Sequence, residues 1–314
     1  MVNRQQATGL DLYTRAAHDS ASRVIGAYST SFGLATRLLA RPVRPHVENI
    51  YALVRIADEI VDGSAEQAGL DVAAQRESLD ALEGETERAI RLGYSANLVV
   101  HSFAQTARTA GIGSDLTAPF FASMRRDLSP VAFTEQELRE YIYGSAEVVG
   151  LMCLRVFLAG ETVSAAERQQ LEHGARKLGA AFQKINFLRD LADDFDTLGR
   201  RYFPGIDPRA LTEEQKLALV ADIDQDLAAA HAVISQLPAG CRRAIIAAHA
   251  LFSVLTAQVR ATPASDLLRT RVSVPTSMKL GILLRSASLV SRPRGSQART
   301  APQPAGLPIR GLES

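Results

Sequence analysis

Residues 51–62 read YALVRIADEIVD. At about 100° per residue in an α-helix, Tyr51, Arg55, Asp58 and Asp62 fall within an arc of roughly 60°. Leu53, Ile56, Ala57, Ile60 and Val61 fill much of the remaining circumference, so the spacing predicts a buried helix. That helix nevertheless carries two carboxylates and a guanidinium along one stripe. A second segment, LGAAFQKINFLRDLADDFD at 178–196, repeats the arrangement. There Gln183, Asn186, Asp190 and Asp194 lie within roughly 80°, opposite Leu178, Phe182, Ile185, Leu188 and Ala192.

Helical periodicity extends outward from both segments, over about residues 11–290. It predicts an all-α chain with helices near 11–38, 45–62, 70–92, 96–110, 115–128, 135–159, 164–197, 213–236, 239–261 and 273–290. Pro42 and Pro45 separate the first two, and Gly63 stops the second. Thr134 and Glu137 form a capping-box signature. Beyond it, Leu138, Ile142, Val149, Cys153 and Val156 predict one buried stripe. FPGIDPRAL at 203–211 is a break within a single domain. No internal repeat or linker interrupts residues 1–290. Residues 291–314, with prolines 293, 302, 304 and 308 among arginines, read as a disordered basic tail.

A hydrophobic fraction of 46% supplies a sizeable core, and a formal net charge of +1 gives no global field favouring nucleic acid. Phosphate, if bound, is held by local charge. Cys153 and Cys241 both sit in apolar helical patterns, which argues against a disulfide framework. The N-terminus shows no apolar secretory region. No run approaches eighteen uninterrupted apolar residues, so no bilayer span is expected. The expected location is the cytoplasm, at most against a membrane surface that the basic tail would favour.

Two aspartates at i and i+4 repel by about 0.2–0.5 kcal/mol in water, and by more beside a low-dielectric cavity unless a cation neutralises them. Magnesium takes a few carboxylates and completes its shell with water and substrate phosphates. Facing acidic stripes would make a socket for a magnesium diphosphate, with nearby arginines taking the remaining oxygens. A lone DxxxD is more often a solvated face. On residue types alone, both readings stay open.

The same segments resemble the phytoene and squalene synthase family of head-to-head prenyltransferases. Its SF-x₂-A-x₂-LL opening stands here as Ser31-Phe32, Ala35 and Leu38-Leu39, followed by Tyr51-Ala52, Arg55, Asp58-Glu59 and Asp62. Its second hallmark stands as Gln183, Asn186, Leu188-Arg189-Asp190, Asp194, Gly199-Arg200, Tyr202 and Pro204. Tyr141, Ala146, Val149 and Gly150 match the helix between them. The resemblance implies an isoprenoid-synthase-type bundle around a central cavity, with two aspartate motifs at its mouth. It implies that Asp58, Asp62, Asp190 and Asp194 hold Mg²⁺ (or Mn²⁺), with Asn186 assisting. It also implies prenyl diphosphate substrates, joined through a cyclopropylcarbinyl diphosphate. Arg55, Arg189 and Arg200 become candidates for diphosphate contact, although helical geometry turns Arg189 away from the stripe and towards a structural ion pair. Ser31, Tyr51 and Gln183 join the candidate substrate site with their motifs. Tyr202 either donates to phosphate or lines the cavity. Tyr141 and Phe32 flank cations or belong to the core. Ala146, Val149 and Gly150 either face a prenyl chain or allow close helix packing.

Five positions depart from the family pattern. Glu59 replaces an aspartate off the ligand stripe, Glu147 replaces a frequent glycine, Tyr28 and Thr30 replace frequent His or Lys, and Phe252 replaces a frequent tyrosine. The pattern is most similar to bacterial carotenoid enzymes, which implies phytoene formation from two geranylgeranyl diphosphates. The alternatives are squalene or dehydrosqualene formation from two farnesyl diphosphates, and a non-catalytic assembly relative that would be expected to lose aspartates. No dinucleotide fingerprint is present and phytoene formation needs no reductant, so NADPH is not expected.

Overall fold

Helix starts and stops follow local chemistry. In the computed structural model, which describes residues 8–129, 132–191, 201–267, 269 and 272–288, the chain forms a helical bundle. The side chains of residues 30–32, 276, 287 and 288 are outside that description. Among the described residues there is no strand, only an isolated bridge between Ala132 and Arg201. The elements are α1 (Gly9–Tyr28), α2 (Thr30–Thr36), α3 (Arg44–Val61), α4 (Ser64–Gln67), α5 (Val72–Leu92), α6 (Leu98–Ala110), α7 (Ser114–Asp127) and α8 (Glu135–Ile142). A π turn (Tyr143–Glu147) leads into α9 (Val148–Leu158). Then follow α10 (Ala165–Arg189), α11 (Glu213–Ile234), α12 (Ala239–Ala261), α13 (Ala264–Leu267) and α14 (Thr276–Ser288). The Thr134–Glu137 capping box forms as its sequence predicts, with the Glu137 carboxylate accepting from the Thr134 N–H at 2.9 Å.

Two expectations change. The predicted first helix breaks at Ser29, which separates α1 from α2. The predicted helix over 135–159 is interrupted by the π turn, whose wider loop of backbone adds a residue to the register. Burial therefore passes from Ile142 to Val148 and Met152, while Val149 and Cys153 are only partly buried.

Two apolar cores result. One gathers Ala21, Leu53, Phe103, Phe120 and Met152 from α1, α3, α6, α7 and α9. The other gathers Tyr141, Ile185, Leu188, Val220 and Val259 from α8, α10, α11 and α12. The π turn packs against both α7 and α10 and so joins the two halves. Its seam is backbone against backbone. A Cβ on Gly144 would lie 2.2 Å from the Pro119 carbonyl oxygen, one on Gly150 2.6 Å from that of Ala175, and one on Gly179 2.6 Å from that of Ala146.

Polar groups fix the rotation of α3. Fully buried Asn49 donates to the Ser102 carbonyl (3.1 Å) and to Thr106 Oγ1 (2.9 Å), and meets His18 Nδ1 at 2.7 Å. This pin lies on the side of α3 away from Tyr51, Arg55, Asp58 and Asp62, so anchoring it turns that stripe outward from the core. Lys216, also fully buried, donates to the Arg260 carbonyl (3.0 Å) and pairs with Glu213 (2.6 Å), closing the C-terminal end of α12. By length and composition Glu135–Leu158 and α12 are apolar enough to cross a bilayer. Both elements contribute side chains to the apolar cores, which accounts for their composition.

Candidate active site

Two predicted ligands stand at helix ends. Asp62 is the C-cap of α3, its N–H donating to the Asp58 carbonyl at 2.8 Å. Asp190 is the C-cap of α10, its N–H donating to the Asn186 carbonyl at 2.9 Å. The predicted helix over 164–197 therefore ends at Arg189. A third aspartate, Asp127, is the last residue of α7. The C-terminus of a helix carries partial negative charge and favours cations. Acidic side chains at three such ends oppose what helix stability asks for and create a demand for positive charge.

Asp58 registers that demand. Burial, and then the neighbouring charge of Asp62, push its carboxyl up to about 8; Arg55 opposes the shift, while Asp127 and Glu59 add to it. Asp62 and Asp127 thus both act on Asp58, across the ends of α3 and α7.

Arg55 lies beside them. It is paired with Glu59, which also accepts from the Ser64 hydroxyl, and its Nη1 is 3.9 Å from Asp58. Its guanidinium sits over the Tyr28 ring, 4.4 Å from the centroid. Arg55 Nε is nevertheless buried with no hydrogen-bond partner among the described residues. Tyr51, pushed up by burial, shares a hydrogen bond with the Ser29 side chain. Glu59 and Tyr28, two of the departures noted in the sequence, are therefore the clamp and the platform of Arg55.

Tyr141 links this group to the second motif. Its hydroxyl donates to Asp127 at 2.6 Å, and its ring stacks on Phe187 with centroids 5.9 Å apart. Phe187 precedes Asp190 by one turn and stacks on Tyr202 at 3.8 Å. Phe133 completes the aromatic group, 5.1 Å from Tyr141. Helical geometry turned Arg189 away from the stripe, but its guanidinium folds back onto the stripe and pairs with the adjacent Asp190, Nε to Oδ1 at 2.8 Å.

The remaining sequence-predicted residues divide. Asn186 and Gln183 are half-buried on α10, and Tyr202 is buried in the aromatic group. Ala146 and Gly150 lie where α10 touches the π turn and α9, and Val149 packs partly buried on the first core. Glu147 is held by Arg176 at 2.6 Å, and Phe252 stacks on Phe182 at 3.6 Å. Ser31 and Phe32 fall in α2, their side chains outside the described residues. Asp194 and Arg200 also lie outside them. Asp127 was missed by sequence reasoning because it has no carboxylate partner at i±4; its only signal is an acidic residue at a helix end that favours a basic one. A separate cleft of about 460 Å³, lined by Val43, His46, Phe157 and Cys241, lies roughly 18 Å from Asp58 along α3.

Among the described residues no three His, Cys, Asp or Glu side chains form a self-sufficient metal site. A magnesium ion whose shell is completed by water and substrate phosphate does not require one. The mutually repelling carboxylates and the unpartnered Arg55 Nε–H fit such an ion with a diphosphate.

Residues 25–277 match the family model described as squalene/phytoene synthase. The chain belongs to the squalene/phytoene synthase family. Membership makes it a prenyltransferase of the head-to-head condensing type. Among curated members, the phytoene synthase of Pseudescherichia vulneris is 26% identical over 308 residues, covering 92% of this chain and 96% of that protein. The 15-cis-phytoene synthase of Paracoccus sp. is 25% identical, covering 81% of this chain and 86% of that protein. Among solved structures, a dehydrosqualene synthase in complex with ligand superposes with a TM-score of 0.69 at 21% identity, covering 88% of this chain and 97% of its own. A squalene synthase from Alicyclobacillus acidocaldarius gives 0.66 at 20% identity, covering 80% and 95%. These two share the all-α fold of the squalene/phytoene synthase family.

Proposed function

We propose that the protein condenses two molecules of geranylgeranyl diphosphate head to head, through a cyclopropylcarbinyl diphosphate, to phytoene, and that the reaction depends on Mg²⁺. The observation that carries this reading is Asp58, raised to about 8 beside Asp62 and Asp127, next to a guanidinium with an unused buried donor. The phytoene synthases among the curated relatives support the C20 substrate.

Asp58 and Asp62, with Asp190 and Asp194, would hold the cation, and Asn186 would add a neutral oxygen. Bound there, the ion supplies Lewis-acid stabilisation of the leaving diphosphate. Arg55 binds diphosphate oxygen through its free Nε–H while Glu59 and Tyr28 hold its plane. Arg189 exchanges Asp190 for phosphate as substrate enters. In the first step, the C1–O bond of one substrate breaks and diphosphate departs. The double bond of the second substrate attacks that carbon, and loss of one proton closes the cyclopropane. In the second step, the remaining diphosphate leaves, the carbon skeleton rearranges, and loss of a second proton yields the linear hydrocarbon. Two diphosphates and two protons are released, and no reductant is consumed. The π faces of Tyr141, Phe187 and Tyr202 stabilise the intervening cations, and the burial of these rings excludes the water that would quench them.

The test is product analysis with Mg²⁺ and C15 or C20 donors side by side, without reductant. A C40 hydrocarbon from geranylgeranyl diphosphate is expected. Turnover of farnesyl diphosphate alone would overturn the C20 assignment and leave the family intact; undiminished turnover after thorough chelation would overturn the metal assignment.

A further inference from the structure

One carboxylate outside the candidate site is almost dry. Asp226 on α11 is 2% exposed, and its two oxygens accept separately from two residues of α10: Oδ1 from Lys177 Nζ and Oδ2 from Lys184 Nζ, both at 2.7 Å. Lys184 also donates to Asp222, so two ammonium groups face two carboxylates. Burial pulls the Lys184 ammonium down, but its hydrogen bonds to Asp222 and Asp226 outweigh that and hold it above its ordinary value. Buried ion clusters contribute little net stability relative to apolar side chains of similar volume; their best-attested use is to fix register.

The spacing of the lysines supplies that register. Lys177 and Lys184 are two turns apart, about 10.5 Å along the helix axis and only about 20° apart around it. A single carboxylate that reaches both defines how far α10 has slid and how far it has rolled. Sliding stretches one of the two bonds, and rolling stretches both. The opposite side of α10 offers no such stop. There Gly179 meets the π turn, its Cβ position 2.6 Å from the Ala146 carbonyl oxygen, and so close a seam of main chain has no side chains to interlock.

The roll of α10 matters to the second acidic motif. Gln183, Asn186 and Asp190 are centred about 140° around the helix from the two lysines. A roll of about 10° carries a carboxylate about 6 Å from the axis through about 1 Å, and a misplacement of that size can cost about a hundredfold in rate. Asn49 gives α3 an equivalent anchor on the side away from Asp58 and Asp62. Each acidic motif is thus carried by a helix pinned from behind.

We propose that Asp226, with Lys177 and Lys184, is a positioning residue for the condensation: it sets the slide and roll of α10 and thereby places Asn186 and Asp190 against the cation. This assignment rests on the metal reading proposed above, and it adds to that reading a group that touches neither metal nor substrate.

The experiment replaces the cluster with apolar side chains in the full chain, Lys177→Met/Lys184→Met/Asp226→Leu, a kind of change that often leaves the fold equally stable. Melting temperature, kcat and the Kd for Mg²⁺ with inorganic diphosphate are measured. The melting temperature is expected to stay at the wild-type level or rise, kcat to fall at least tenfold, and Kd to weaken about fivefold or more. A merely structural role would leave both constants unchanged in the folded variant, and that result would overturn the proposal. Asp226→Asn, whose amide turns one of the two acceptors into a donor, is expected to show the same losses well below its own melting temperature. Losses no larger than its unfolded fraction would overturn the proposal even if the triple variant fails to fold. A wild type that binds no Mg²⁺ with diphosphate would overturn the metal reading and this one with it, whereas equal binding and turnover by wild type and variants would remove only this one.

Discussion

Adding one methyl group at either of two glycines is expected to move stability in opposite directions. Gly144 lies in the π turn, and a Cβ there would sit 2.1 Å from Ser123 Oγ and 2.2 Å from the Pro119 carbonyl oxygen. The serine can rotate, but the backbone carbonyl can retreat only if α7 moves by about 1 Å to restore ordinary contact. Overpacking costs about 1–3 kcal/mol, of which the better helix propensity of alanine recovers up to about 1. With rigid backbone as the obstacle, a net loss of roughly 2 kcal/mol is expected for Gly144→Ala. Gly84 is exposed within α5, and its Cβ would meet nothing within 4 Å. Gly84→Ala is therefore expected to gain about 0.5–1 kcal/mol. Denaturant titration of both variants reads the signs directly. The displacement also reaches the site: Ser123 donates to the Tyr141 carbonyl at 3.2 Å, and Asp127 lies one turn further along α7. Turnover of Gly144→Ala should therefore fall well below its own melting temperature. Equal stability of Gly144→Ala and wild type would refute the close-approach argument.

Other consequences are open to measurement. A carboxyl raised to about 8 is mostly protonated at pH 7 and must ionise to hold a cation. The apparent affinity for Mg²⁺ with inorganic diphosphate should thus rise about tenfold per unit up to pH 8 and then level off. Calorimetry at pH 7 in buffers of different ionisation enthalpy should detect about 0.9 proton released from this group, and the absence of any release would refute the assignment. Asp127→Asn is expected to lower kcat at least tenfold while leaving the fold intact by circular dichroism, whereas wild-type kinetics would remove Asp127 from the site. Lys216→Ala strips a buried amine from the end of α12 and leaves carbonyl acceptors unpaired, so a loss of about 3 kcal/mol is expected in chemical denaturation. A loss below about 0.5 kcal/mol would mean that water replaces the amine without penalty.

Helix identity was legible because the sequence states it twice, through apolar spacing and through caps such as Thr134 with Glu137. The Asp58–Asp62 and Gln183–Asn186–Asp190 stripes were legible for the same reason, since one helix fixes their relative directions. What periodicity could not reveal is tertiary. The π turn looks like ordinary helix because its residues keep helical chemistry, and only packing against Pro119 and Ala175 shows the change of register. Asp127 joins the site through space, from a helix whose sequence carries no second carboxylate at the right interval. The sequence places Glu59 off the ligand stripe, and the structure makes it the anchor of Arg55.

The contact of bare backbones around Gly144, Gly150 and Gly179 also settles where this bundle can change shape. A seam made of abutting main chain has no side chains to trim or enlarge, so substitution there disturbs the scaffold itself. Room for change lies instead where side chains meet, as where Phe182 of α10 stacks on Phe252 of α12. Anyone seeking to retune the enzyme should leave the glycines alone and work from that pair.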